Sequence, residues 1–280
     1  MSRLSMLQES LQQRYEASQT SRDRILSEAP STQLHFPHRL FVPRSYEPGY
    51  AYPLIVWLHS DASSEMELDG VMESLSTQNY VAIAPRGNVK ATGSERRFQW
   101  GTTLTDCAAA EDLVWESVHA AMGALSIHPD RIFLAGFGRG ATMAQWIGLK
   151  YPEQVVGVVS LSGAFPNTAR ALSNWKKARN LEVLFSQCES STVCSDNEMA
   201  RAVKIAFQAG LKFRFVQNRC ENLRGNSADA SCFGASQADG LHASMLAVAN
   251  RFMMGIVTGT NIELLPQVSA DCESIEFGAN

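Results

Sequence analysis

The sequence predicts an α/β fold, a mostly parallel central sheet with helices on both faces, and two observations carry that reading. Short runs rich in β-branched and aromatic residues alternate with segments of helical periodicity, the pattern of βαβ units. Most of the runs are apolar throughout rather than alternating, as strands covered on both faces must be. With 45% hydrophobic and 19% charged residues, the 280-residue chain carries enough apolar side chains for one sizeable core.

The expected strands, in chain order, are HRLFVP (38–43), PLIVWLH (53–59), YVAIAP (80–85), RIFLAG (131–136), VVGVVSLS (155–162), LEVLFS (181–186) and LKFRFVQ (211–217). Between the third and fourth, Val114, Val118, Ala121, Met122 and Leu125 recur at helical spacing and mark a helix that crosses the sheet. Other helices are expected over 65–78, 140–151, 196–209 and 240–257. In such a sheet ligands bind beyond the carboxyl ends of the strands, so the loops starting at 59, 86, 136, 162, 187 and 218 should share one face. Residues 1–34 read as a polar helical N-terminal extension, 35–260 as the folded domain, and 261–280 as an acidic tail with four acidic and no basic residues.

Several function classes are excluded early. The net charge is −4 and no run of five like charges occurs, so no broad basic surface awaits nucleic acid. No apolar run of about 18 residues would span a membrane, and no secretory apolar core opens the chain; a cytoplasmic location is the expectation. The six cysteines, at 107, 188, 194, 220, 232 and 272, form no C-x-x-C pair and are expected to be reduced and mostly buried. Zinc-protease, Walker and calcium-loop patterns are absent, so neither a metal nor another cofactor is implied.

The most informative stretch is IHPDRIFLAGFGRGATMAQWIG, where a strand ends in Gly136-Phe137-Gly138-Arg139-Gly140 and passes directly into a helix. Here the chain resembles the α/β-hydrolases of the phospholipase/carboxylesterase and polyhydroxybutyrate-depolymerase-like esterase group, which look like PDR-[IV]-[YF]-[LV]-x-G-x-S-x-G-G at this point. PLIVWLHSDASS is similar to that group's strand ending in HG with oxyanion-hole residues, and YVAIAPRG and LSGAFP extend the resemblance over roughly residues 36 to 258. The resemblance implies an α/β-hydrolase fold.

It also implies a serine on a strained turn beside a backbone N–H oxyanion hole. Position 138, where that serine belongs, is Gly138. Glycine accepts unusual backbone angles without the penalty a Cβ brings, so Gly138 can keep the turn and drop the chemistry. The family's acid should follow LEVLFS; Ser190 or Ser191 falls there, and Glu189 is the carboxylate nearby. His242, in ADGLHASML, falls where the family places its catalytic histidine. His59 matches the histidine of the oxyanion loop, a mostly structural residue, and Ser60, Asp61 and Arg139 complete the expected oxyanion region. His35, His38, His119 and His128 read as structural.

The first reading is thus an esterase-like protein that has lost its nucleophile and binds a ligand or partner. Arg139 at a helix start, with Arg86, Lys90, Arg96 and Arg97 in the loop after YVAIAP, would favour a small ester-like or anionic ligand, although Glu95 shares the loop. Trp100 is read either as lining the mouth or as packing a loop. The second reading is an active ester or thioester hydrolase with a relocated nucleophile, for which Ser60, Ser162 and Cys188 are candidates. A third follows from Gly136-Phe137-Gly138-Arg139-Gly140-Ala141, which also fits the dinucleotide-binding G-x-G-x-x-A. That motif needs an acidic residue at the end of the next strand, where this chain has Ser160-Leu161-Ser162.

Overall fold

The computed structural model describes residues 37–166, 174–188, 191, 193–218, 241–260 and 272–275. The N-terminal extension, His35, Glu189, Ser190, Cys220 and Cys232 lie outside the described residues, as do the rest of residues 219–240 and most of the acidic tail.

Every expected strand forms. They are β1 (His38–Phe41), β2 (Tyr52–Leu58), β3 (Val81–Pro85), β6 (Ile127–Phe137), β7 (Gly157–Leu161), β8 (Glu182–Cys188) and β9 (Lys212–Asn218). Together with β10 (Cys272–Ile275) they make one eight-stranded sheet in the order β1-β3-β2-β6-β7-β8-β9-β10. The inner six are parallel, while β1 pairs antiparallel with β3 and β10 antiparallel with β9. All residues of β2, β3 and β7 are buried, which is why those segments read as unbroken apolar runs. Two short strands, β4 (Val89–Lys90) and β5 (Phe98–Gln99), form a separate hairpin in the loop after β3.

The helices are α1 (Glu67–Leu75), α2 (Leu104–Ala124), α3 (Arg139–Lys150), the four-residue α4 (Trp175–Ala178), α5 (Asp196–Ala209) and α6 (Ala243–Thr258). Two start where the sequence supplies a capping box: Thr103 with Asp106 opens α2, and Ser195 with Glu198 opens α5. In α2 the expected stripe is buried at Val114, Val118 and Ala121, and Leu125 caps the helix; Met122 is instead 38% exposed. It follows Ala121 directly and so points about 100° away from it, off the stripe. Helices α1 and α6 pack together with the sheet face of Ile55, Trp57, Phe133 and Leu184, while α2 and α3 pack together and against β2, β3 and β6.

Chain order fixes where a ligand can enter. After β2 the chain adds β3 on one side, then returns to place β6 on the other side of β2. The connections leaving β2 and β6 therefore diverge, and a crevice opens between their carboxyl ends.

Candidate functional site

The glycine turn lies at that crevice. β6 ends at Phe137, and Gly138 is the N-cap of α3 with φ 58° and ψ −124°. Such a backbone suits glycine and strains any residue with a Cβ. The flanking glycines are required by a different constraint, close approach. A Cβ on Gly136 would lie 2.7 Å from the Leu58 carbonyl oxygen, and one on Gly140 would lie 2.2 Å from the same atom and 2.4 Å from that of His59. The turn is pressed against the end of β2, and the Gly138 N–H donates to the Leu161 carbonyl at 2.9 Å, tying it to β7 as well.

A Cβ placed on Gly138 would meet Val193 Cγ1 at 3.0 Å. Val193 comes from the β8–α5 connection, the segment in which the resemblance looks for the acid. The space beside the turn residue is thus bordered by a valine methyl.

Around the turn is a cavity of about 410 Å³. Leu104 and Cys107 of α2, Met143 and Trp146 of α3, and Phe165 and Pro166 after β7 give it an apolar body. Asp61, Gly138, Arg139, Thr142 and Ser162 supply its polar end. Met143 and Trp146, three positions apart on one helix, are visible in the sequence as neighbours on a face, but nothing local says that this face borders a cavity. Burial and the nearby Glu111 and Asp106 carboxylates raise the pKa of the free Cys107 thiol, which keeps it protonated.

Behind the cavity a buried carboxylate locks two helices. Glu111 of α2 accepts from Trp146 Nε1 (2.6 Å), Lys150 Nζ (2.6 Å) and Tyr151 Oη (3.0 Å), all on or just after α3. This network holds the Trp146 ring in the cavity wall.

The oxyanion-loop residues divide into structural and cavity groups. His59 is fully buried; its Nδ1 lies 2.8 Å from the Ser60 carbonyl, and its Nε2 accepts the Gly87 N–H at 2.8 Å. Those partners fix the neutral tautomer with hydrogen on Nδ1, and burial lowers the imidazole pKa against the opposing pull of the Ser60 carbonyl and nearby carboxylates. Trp100, fully buried, donates from Nε1 to the His59 carbonyl at 3.0 Å and packs on its ring; it staples the loop and does not line the cavity. Ser60 is turned toward α1: its Oγ donates to Glu67 at 2.5 Å, and its N–H lies 3.1 Å from the same carboxylate. Trp57 Nε1 donates to that carboxylate at 2.9 Å, a network absent from the sequence reading because no motif announces Glu67 as a partner.

Of the basic residues proposed for an anion, only Arg139 lines the cavity. Arg86 instead forms a two-pronged pair with the buried Glu65, through Nε at 2.8 Å and through Nη2, and stacks over Phe98. The hairpin brings Glu65 and Phe98 to Arg86, so its guanidinium serves the fold. Lys90, Arg96 and Arg97 are exposed and outside the cavity wall. Arg139 Nε lies 3.2 Å from Asp61 Oδ1.

The candidate nucleophiles fare differently. Cys188 is disulfide-bonded, which corrects the expectation of reduced cysteines and removes its thiolate from consideration. Ser162, buried at the end of β7 with φ 48°, does line the cavity. His242 follows β9 in the chain and is the N-cap of α6, its carbonyl accepting from Met245 N–H at 3.0 Å. The carboxyl end of β7 carries no acidic residue, so the glycine turn lacks the ribose partner a dinucleotide site needs.

A phospholipase/carboxylesterase family model matches residues 103–219, which includes the turn, β7, β8 and α5. The chain has the α/β-hydrolase fold, and over this segment it is similar to the phospholipase/carboxylesterase family. Solved structures with the same fold include a carboxylesterase from Bacillus cereus, 16% identical, covering 81% of this chain and 97% of that one with a TM-score of 0.58. Esterase PE8 is 18% identical over 79% of this chain and 98% of its own, also with a TM-score of 0.58. SOBER1 from Arabidopsis thaliana is 15% identical over 74% and 100%, with a TM-score of 0.59. No curated protein sequence matches the chain. Among the described residues no helix is long and apolar enough to cross a membrane, and no group of three His, Cys, Asp or Glu side chains is placed to hold a metal ion.

Proposed function

We propose that this chain is a non-catalytic member of the phospholipase/carboxylesterase family, which keeps an esterase-type cavity and uses it to bind a small acyl-type ligand. The observation that carries the reading is Gly138: the turn residue has no nucleophilic atom, and Val193 Cγ1 borders the space a side chain would need. Loss of a serine nucleophile costs hydrolases on the order of 10⁶ in kcat. The apolar body of the cavity suits an acyl chain, and at about 410 Å³ it falls within the size range of small-molecule sites.

A relocated nucleophile is the second reading, favoured by one observation. Ser162 lines the cavity in a left-handed backbone conformation uncommon for a residue with a side chain.

One assay separates the two. Wild type, His242→Ala and Ser162→Ala are compared on a panel of p-nitrophenyl and thioester acyl substrates. The binding reading expects equal, background rates for all three. Turnover by wild type that disappears in either variant refutes it and identifies the group responsible.

A further inference from the structure

The polar end of the cavity sets which head group a ligand can present, and it contains a charge the fold supplies itself. Arg139 is the first residue of α3, so its N–H is among those a helix start leaves without an intrahelical partner. In this fold the N–H after the turn residue is a donor to the substrate oxyanion. Here the Asp61 carboxylate, from the connection after β2, reaches across the crevice to that position. It faces the Arg139 N–H, and Oδ1 lies 3.2 Å from Arg139 Nε.

We propose that Asp61 acts as a resident counter-ion at the oxyanion position, making the cavity selective for uncharged, hydrogen-bond-donating ligands against carboxylates. The inference rests on the reading of this cavity as a binding pocket and names the ligand class it takes.

Three observations support it. Asp61, Gly138 and Arg139 all line the one cavity, so a ligand head beside the turn meets the Asp61 carboxylate. An incoming carboxylate would have to displace Asp61 from Arg139 or sit beside it as a like charge in a partly desolvated place. Asp61 Oδ1 is also a buried acceptor without an aligned hydrogen bond, the Arg139 contact being ionic. An acceptor in that state is satisfied by an N–H or O–H from a ligand and left unsatisfied by an ester. The rest of the wall, from Leu104 through Met143 and Trp146 to Phe165, asks only for an apolar chain. The fitting class is therefore a medium-chain primary amide or alcohol. Partial burial raises the Asp61 pKa despite the opposing Arg139 guanidinium.

The test is calorimetric titration of octanamide and octanoate into wild type, Asp61→Ala, the near-isosteric Asp61→Asn, and the double variant Asp61→Ala/Arg139→Gln. Wild type should bind octanamide at least about tenfold more tightly than octanoate. In both single variants the preference should move toward octanoate by about tenfold or more, since Arg139 is then free for the ligand carboxylate, and the double variant should lose that gain. Binding of both probes with the same ratio in wild type and the Asp61 variants overturns the proposal while leaving the pocket reading intact. If neither probe binds any of the folded proteins, the pocket reading is overturned and the proposal with it; if octanamide binds but octanoate binds none of them, the proposal alone is overturned.

Discussion

Replacing Gly138 by serine restores the family's side chain at the turn, and the structure sets both the stability cost and the catalytic result. At φ 58° and ψ −124° any residue with a Cβ is strained, by about 1–3 kcal/mol. The contact with Val193 at 3.0 Å adds less, because Val193 is 40% exposed and its side chain can turn aside. For a domain of this size 1 kcal/mol moves Tm by about 2–4 °C, so Gly138→Ser should melt about 2–12 °C below wild type. Gly138→Ala should fall by the same amount, since the Cβ causes the strain. Adding Val193→Ala should recover only the smaller contact part. Hydrolysis of p-nitrophenyl butyrate should not rise, because the Arg139 N–H that would stabilise the tetrahedral oxyanion faces Asp61. Scanning calorimetry and an esterase assay on the same preparations test both halves. An unchanged Tm would refute the strained-turn argument. A rate gain on the order of 10³, the scale of residual oxyanion-assisted catalysis, would show that the machinery around the turn is intact.

Two further predictions concern the frame of the site. Burial holds the His59 pKa below its unfolded value, so the unfolded chain binds that proton more readily; the neutral histidine's stability is fully present above about pH 6.5 and is lost as pH falls toward the folded value. Urea unfolding from pH 7.5 to 5 should therefore show wild type losing up to about 1.4 kcal/mol per pH unit more than His59→Gln, and parallel curves would show that the imidazole is not held neutral. Glu111→Gln replaces an acceptor-only group facing three donors with one that must present its own N–H to some of them, and should cost about 1–3 kcal/mol by denaturant midpoint. A loss within the roughly 0.5 kcal/mol typical of surface substitutions would mean the network does not hold α2 to α3.

The architecture was legible because its determinants are local. Apolar runs marked the strands to within a few residues, and the glycine turn declared itself by strand, G-x-G-x-G and helix. Gly138 itself, the residue on which the functional reading turns, is a fact of the sequence. Less visible was β10, whose four residues pair with β9 from inside a segment that read as an acidic tail, because an edge strand needs no apolar run.

What only the tertiary structure decided was how charges and side chains from distant segments combine. Arg86 and Arg139 look equivalent as cations near the expected site, yet one is consumed by Glu65 and the other meets Asp61 in the cavity, because the β3 loop folds over the start of α1 while α3 begins at the crevice. Trp100, read as lining the mouth or packing a loop, is spent on the His59 carbonyl, while Trp146, which the sequence reading did not single out, forms cavity wall. Cys188 carries no local sign of its disulfide. Periodicity and caps act over a few residues and are written along the chain. Ion pairs, disulfides and cavity walls join residues tens of positions apart, and their partners are chosen only when the sheet brings the strand ends together.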